Sequence, residues 1–194
     1  MAVARPRDAA SMLVYDGTGV SLKVLLGRRP ARARFMPDVF VYPGGAVDAT
    51  DFPARGEPGD YPGFTSLVGA GNCPRKARAL AQAAIRETRE ETGLKLSCDA
   101  GRLRYLGRAI TPTESTLRFH ARFFAAPGSL FKGELAGDGE LLDLDWFSLD
   151  AARALPLVDV TRFMLEKLLR SLAGAKQDSP LLCYRGERAL VRYR

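Results

Sequence analysis

The sequence predicts a mixed α/β domain, and three observations carry that prediction. Short β-type runs are interleaved with helical stretches, one long segment repeats apolar residues at helical spacing, and Gly- or Pro-bearing turns separate the elements. A chain of 194 residues suits one domain, read as 1–194, long enough to bury a full core. Residues 1–9 read as a flexible arm. Ser11–Asp16 and Ser21–Gly27 read as two strands around an Asp16–Gly17 turn, with Leu22, Val24 and Leu26 of the second alternating onto one face. Val39–Tyr42 is a short apolar strand that Pro43, Gly44 and Gly45 stop. Residues 46–73 carry Asp, Pro and Gly throughout and form an irregular stretch. A stretch of that length inside a compact domain is often functional.

Arg75–Thr92 then reads as one helix. Ala77, Leu80, Ala81, Ala84, Ile85 and Thr88 recur at helical spacing, and Gly93 stands where a helix-ending glycine belongs. Leu103–Ile110, Leu117–Ala125 and Leu141–Phe147 read as three strands. In the last, Leu142, Leu144 and Trp146 face one way and Asp143 and Asp145 the other. Ser148–Ala154 and Thr161–Leu172 look helical, and Leu181–Tyr193 reads as a final strand or hairpin around Arg185–Gly186.

Composition bounds the function classes. The chain is 46% hydrophobic and 26% charged, within the range of globular proteins, and its formal net charge is +7. A basic balance favours anionic partners, although much of the Arg content suits a solvated surface. No aromatic–basic motif accompanies the charge, so no specific nucleic-acid partner is expected. The three cysteines, Cys73, Cys98 and Cys183, form no CxxC pair, which argues against a disulfide framework or zinc knuckle and for a reduced, cytoplasmic protein. His120 is the single histidine, so a His-based metal site or a Ser-His-Asp triad is nearly excluded. No secretory leader is evident and no charge-free apolar run approaches the roughly 20 residues of a membrane helix, so no membrane partner is expected.

The chemistry concentrates in Arg86-Glu87-Thr88-Arg89-Glu90-Glu91-Thr92-Gly93-Leu94. Glu87, Glu90 and Glu91 are spaced i, i+3, i+4 and share one helical face. Three clustered carboxylates repel one another, and a divalent cation reverses the sign of that cost; Mg²⁺ in particular prefers oxygen ligands, water and substrate phosphates. Arg86, four residues before Glu90, can orient it without competing for metal. An exposed Arg/Glu-rich helix is common, but the pattern R-E-x-x-E-E-x-G arises by chance only on the order of 10⁻⁴ times in a chain of this length.

This pattern resembles the core of the Nudix box, and Tyr42-Pro43-Gly44-Gly45 looks like the glycine pair that opens that box. The resemblance implies a Nudix-type α/β/α sandwich with a mixed sheet and a metal-dependent hydrolase of diphosphate bonds using Mg²⁺ or Mn²⁺. The metal would be held by Glu87, Glu90, Glu91 and the Gly44 carbonyl, with Glu91 and Glu87 as principal ligands and Glu90, oriented by Arg86, as ligand or base. Three positions depart from the usual box. Gly45 and Arg86 stand 41 positions apart (86 − 45), about 27 more than usual, so the catalytic helix follows a long insertion. The early Glu of the box, eight residues before the Arg, falls on Arg78, and Thr88 occupies an aliphatic position.

The insertion and further segments, including Gly27-Arg28-Arg29, Phe35-Met36-Pro37, Thr111-Pro112 and Arg118-Phe119, resemble the branch of the family that includes coenzyme A diphosphatases. Coenzyme A or an acyl-coenzyme A is therefore the expected substrate. ADP-ribose, a dinucleotide or a nucleoside triphosphate is the alternative within the chemistry, and an inactive binding module the alternative outside it. The expected partner is a small diphosphate, with a homodimer as the family's frequent assembly. Glu140 is a candidate extra base or ligand, and Arg28, Arg29 and Arg118 are candidate phosphate contacts; Arg122 shares the Arg118 face. Phe35, Phe40 and Tyr42 suit core packing or base stacking, and Asp48 and Asp51 suit turn-capping or metal-facing charge.

Overall fold

The structure is a computed structural model that describes residues 4–53, 73–175, 178–186 and 188–193. Of the 46–73 insertion, residues 54–72 lie outside the described residues. Eleven strands and three α-helices follow in chain order among the described residues: β1 (Arg7–Asp16), β2 (Lys23–Arg28), β3 (Phe40–Val41), β4 (Gly44–Ala46), α1 (Pro74–Thr92), β5 (Lys95–Leu96), β6 (Arg104–Ile110), β7 (Phe119–Pro127), β8 (Phe131–Lys132), β9 (Leu142–Ser148), α2 (Leu149–Ala154), α3 (Asp159–Leu172), β10 (Leu181–Arg185) and β11 (Arg188–Arg192).

One mixed sheet runs β11-β10-β6-β7-β1-β2-β3, with β9 pairing β2 and β4 pairing β1. β1 lies parallel to β7 along its whole length and antiparallel to its other neighbours. That other edge is shared: Tyr15 and Asp16 pair with β2, while Ala9, Ala10 and Ser11 pair with Ala46, Gly45 and Gly44 of β4. β5 and β8 form a separate two-stranded sheet.

Both faces of the sheet are covered, which makes the α/β/α sandwich expected from the sequence. On one face Ala10, Met12, Val14 and Phe124 pack against Ala77, Leu80, Ala81 and Ala84 of α1. On the other Leu13, Leu26, Leu106 and Phe123 pack against Met164, Leu165 and Leu168 of α3. Val24 and Leu26 share one face, as the alternation of the second strand predicts, and double coverage buries the residue between them as well. Val24, Leu25 and Leu26 are all fully buried, Leu25 towards α1 and its neighbours towards α3. Leu142 of β9 is also exposed, so only Leu144 and Trp146 of the expected apolar face reach the core.

The N-terminal arm is shorter than expected, because Arg7, Asp8 and Ala9 already belong to β1 and pair with β7. Helix α1 has Pro74 at its start, and at its end Gly93, with φ of 77°, returns its N–H to the Arg89 carbonyl. Thr88 sits in an apolar slot without cost to its hydroxyl, which donates to the Ala84 carbonyl at 2.7 Å.

Candidate active site

The last turns of α1 pass the β1–β4 edge, and the glycine pair makes that approach possible. A Cβ on Gly45 would stand 2.3 Å from Glu87 Oε1, and one on Gly44 would stand 2.4 Å from the Ala10 carbonyl oxygen. A side chain at Gly44 would collide with backbone, and one at Gly45 would displace the Glu87 carboxylate. The N–H of Gly44 donates to Glu91 Oε2 at 2.7 Å, so strand and helix are joined through the carboxylate itself. Gly44, Gly45, Glu87 and Glu91 all line a cavity of about 450 Å³ on the α3 side of the sheet.

Arg86 organises the carboxylates from behind. Its guanidinium donates to both oxygens of Asp51 at 2.9 and 3.0 Å, to Glu87 at 2.9 Å, to Glu90 at 3.0 Å and to the Ala46 carbonyl at 3.1 Å. Asp51 is only 5% exposed and lies in a one-turn helix that Asp48 caps through the Thr50 N–H. Counting back eight residues from Arg86 leads to Arg78, but counting six forward from Gly45 leads to Asp51. The acid partner of Arg86 therefore stands near the start of the 46–73 stretch, whose remainder separates it from the helix in sequence but not in space.

Burial pushes the Glu91 carboxyl up to about 8, against the Gly44 hydrogen bond and with the repulsion of Glu87 and Glu140. Burial also raises Glu87, opposed by Arg86 and reinforced by Glu90 and Glu140. Two carboxylates whose charge is disfavoured in this way, opening on one cavity, fit a hard divalent cation that draws its other ligands from water and phosphate. Among the described residues, no three Asp, Glu, His or Cys side chains converge into a closed metal cage. Glu87 and Glu91, the expected principal ligands, face the cavity, and Glu90, the expected ligand or base, stands apart from them. Glu90 is absent from the cavity lining, is 41% exposed and pairs with Arg86 and Arg89.

The other expected residues divide. Glu140 and Arg29 line the cavity, and Arg29 Nε donates to the Phe35 carbonyl at 2.8 Å. Arg28 does not line it; its guanidinium bonds Asp143 at 2.6 Å and Asp38 at 3.0 Å, joining the base of the β2–β3 loop to β9. Arg118 is a loop strut that donates to the carbonyls of Ala4, Thr111 and Pro112. Arg122, 1% exposed, lies under α1 and pairs with Asp8. Phe40 packs in the core against Phe147. Tyr42 is buried and donates to the Thr161 carbonyl at 3.2 Å, while Phe35 faces the cavity and meets Phe119 edge-on. Three residues of the site or its lining escaped sequence reading as such: Asp51 as the Arg86 partner, and Arg7 and Arg34 in the cavity wall. Forward counting from Gly45 is the one signal that finds the first.

Residues 5–168 match the NUDIX domain family, and the chain belongs to it. Over 176 residues it is 29% identical to the NAD-capped RNA hydrolase NudC of Pseudomonas aeruginosa, a match covering 89% of this chain and 48% of the relative. The chain thus spans about half the length of that curated relative. Its fold is similar to a NUDIX hydrolase from Alicyclobacillus acidocaldarius, with a TM-score of 0.62 and 27% identity over 90% of this chain and 94% of the other. The NUDIX domain of Shewanella oneidensis NrtR, solved with ADP ribose, shares the fold at a TM-score of 0.57 and 16% identity over 87% of this chain and 90% of the other.

Proposed function

We propose that this chain is a metal-dependent pyrophosphohydrolase that cleaves the P–O–P linkage of a nucleoside diphosphate-linked small molecule. The observation that carries the reading is the pair of carboxylates at one end of a cavity, Glu87 partly buried and paired with Arg86, and Glu91 buried and without an ion pair among the described residues. Mg²⁺ or Mn²⁺ held by these two carboxylates and the Gly44 carbonyl would neutralise phosphate charge and acidify a bound water.

The protein's own groups do the positioning. Arg86, fixed by Asp51, keeps Glu87 aimed at the cavity, and the Gly44 N–H does the same for Glu91. Arg29, fixed through Nε, offers its remaining N–H groups to the diphosphate oxygens. Glu140, which lines the cavity from the loop before β9, would take the proton of the attacking water. Phe35 and Phe119 offer ring surface to a nucleobase.

Coenzyme A or an acyl-coenzyme A is the first substrate we propose, on the family resemblance. A dinucleotide of the NAD type is the second reading, favoured by the 29% identity to an NAD-capped RNA hydrolase. Three free cysteines fit action in the reducing cytoplasm. No helix among the described residues is long and apolar enough to cross a membrane. The homodimer proposed with this reading is checked by the mass in solution.

The test is product analysis by mass spectrometry after incubation with Mg²⁺ or Mn²⁺. The panel holds coenzyme A, an acyl-coenzyme A, ADP-ribose, reduced NAD and nucleoside triphosphates, with Glu91→Gln as control. Release of phosphopantetheine from coenzyme A, lost in the variant, supports the first reading. Mononucleotides from reduced NAD support the second. No variant-sensitive turnover would favour a binding module instead.

A further inference from the structure

The cavity is polarised. Its lining carboxylates are Glu87, Glu91 and Glu140, while its lining cations are Arg7, Arg29 and Arg34. Arg29 influences Glu91 and so belongs to the carboxylate end. Arg7 and Arg34 belong elsewhere. Arg7 lies in β1 four residues before Ser11, the residue that pairs with Gly44, which sets its Cα roughly 13 Å further along the strand. There it pairs with Phe119 across the β1–β7 ladder. Arg34 precedes Phe35, whose ring meets that of Phe119 edge-on at 5.2 Å between centroids. The two arginines thus flank one aromatic pair at the end of the cavity away from Glu91.

Their chemistry differs from that of the other arginines around the site. Arg28, Arg86 and Arg118 have their guanidinium groups committed to carboxylates or carbonyls. Arg7 and Arg34 line the cavity and have no side-chain hydrogen bond or ion pair among the described residues. A solvated surface arginine needs no partner, but two of them bordering an aromatic pair inside one cavity form the donor set that a phosphate oxygen recruits. The diphosphate itself is already met at the other end by Arg29 and the carboxylate-bound cation of the proposed function.

Resting on that proposed function, we infer that the end of the cavity formed by Arg7, Arg34, Phe35 and Phe119 is a second anion subsite. It reads a phosphate monoester on the ribose of the substrate nucleoside while the base lies against the phenyl rings. The preferred substrates are therefore nucleoside diphosphate-linked molecules with an additional ribose phosphate.

Matched pairs test this: reduced NADP against reduced NAD for a 2′-phosphate, and coenzyme A against dephospho-coenzyme A for a 3′-phosphate. Each pair is measured as kcat/KM with the wild type, Arg7→Gln, Arg34→Gln and the double variant. The wild type prefers the phosphorylated member of at least one pair by roughly tenfold or more, the scale of one charge-assisted hydrogen bond. In the double variant the ratio collapses towards one. Equal wild-type values in both pairs, or a preference that survives the double substitution, overturns the subsite. A NAD-capped oligonucleotide preferred over reduced NADP also overturns it, since the end group would then read a phosphodiester chain. Calorimetric binding of the better-bound of adenosine 2′,5′- and 3′,5′-bisphosphate against AMP gives a readout free of turnover. Arginine-dependent preference for the bisphosphate without hydrolysis of any pair sinks the proposed function and leaves the subsite standing. Equal binding with hydrolysis intact does the reverse.

Discussion

Asp51 gives both carboxylate oxygens to Arg86 from a site 5% exposed, and Arg86 in turn holds Glu87 and Glu90. Replacing it by Asn leaves the guanidinium without its bidentate acid. Asp51→Asn is expected to cost about 2–3 kcal/mol in urea denaturation, below the range for a fully buried pair because Glu87 and Glu90 still hold Arg86. Turnover should fall with it, because Glu87 loses the support of its partner. Gly45 makes a sharper case, since a methyl group there would lie 2.3 Å from a Glu87 oxygen. Gly45→Ala is expected to lower kcat by at least about tenfold, or roughly 1.4 kcal/mol, while a thermal melt still reports a folded protein. At this scale the sequence singled out Arg86, Glu87, Glu90, Glu91 and the glycine pair, because the helical pattern and the glycine pair are each contiguous. It hid Asp51 as the Arg86 partner because the insertion removes it from its place eight residues before Arg86, and it left open where Glu90, Arg28 and Arg118 point, because charge and spacing do not say which way a side chain turns.

At the scale of elements, β1, β6, β7 and α1 bury a basic cluster on the face opposite the cavity. Asp8 pairs with Lys76 at 2.7 Å and with Arg122, and His120 stands beside Arg122, Arg108, Asp8 and Lys76. Burial, then the Arg122 and Arg108 charges, depress His120 to about 4. The folded state therefore binds fewer protons than the unfolded state between pH 4 and about 6.5, and the stability that neutral His120 contributes is present above pH 6.5 and lost as pH falls towards 4. Urea midpoints at pH 7 and pH 5 should show a loss of about 1 kcal/mol, after discounting for partial exposure, that is absent in His120→Gln. The long helix, the glycine cap and most strands were legible because periodicity and turn chemistry agree there. β5 and β8 were not, since two residues carry no period. In β2 the alternation of Val24 and Leu26 was legible but the burial of Leu25 on the second face was not, and Arg7–Ala9 looked like an arm because strand pairing with β7 leaves no local mark.

For the whole molecule, the sandwich brings α1, β4 and the loop before β9 to one end of a cavity and β1, β7 and the β2–β3 loop to the other. That convergence of segments remote in sequence is what no local pattern could show, whereas the mixed α/β class followed from the order of elements and the α/β/α sandwich from the Nudix resemblance. Two buried carboxylates without a full counter-charge also make the metal-free fold less stable than it need be. Mg²⁺ at about a hundredfold over its dissociation constant is expected to raise the wild-type stability by about 2.7 kcal/mol in scanning calorimetry. Glu91→Gln should melt higher than wild type without metal and gain little on its addition.

On the proposed function, the carboxylates facing the cavity, and not the third one on the helix, would carry the chemistry. The most direct measurement is kcat/KM with Mg²⁺ for Glu87→Gln, Glu90→Gln and Glu91→Gln side by side on the best substrate of the panel. The account predicts losses of at least about a hundredfold, or roughly 2.7 kcal/mol, for Glu87→Gln and Glu91→Gln and a distinctly smaller one for Glu90→Gln. Equal losses in all three variants, or full activity in Glu91→Gln, would contradict it.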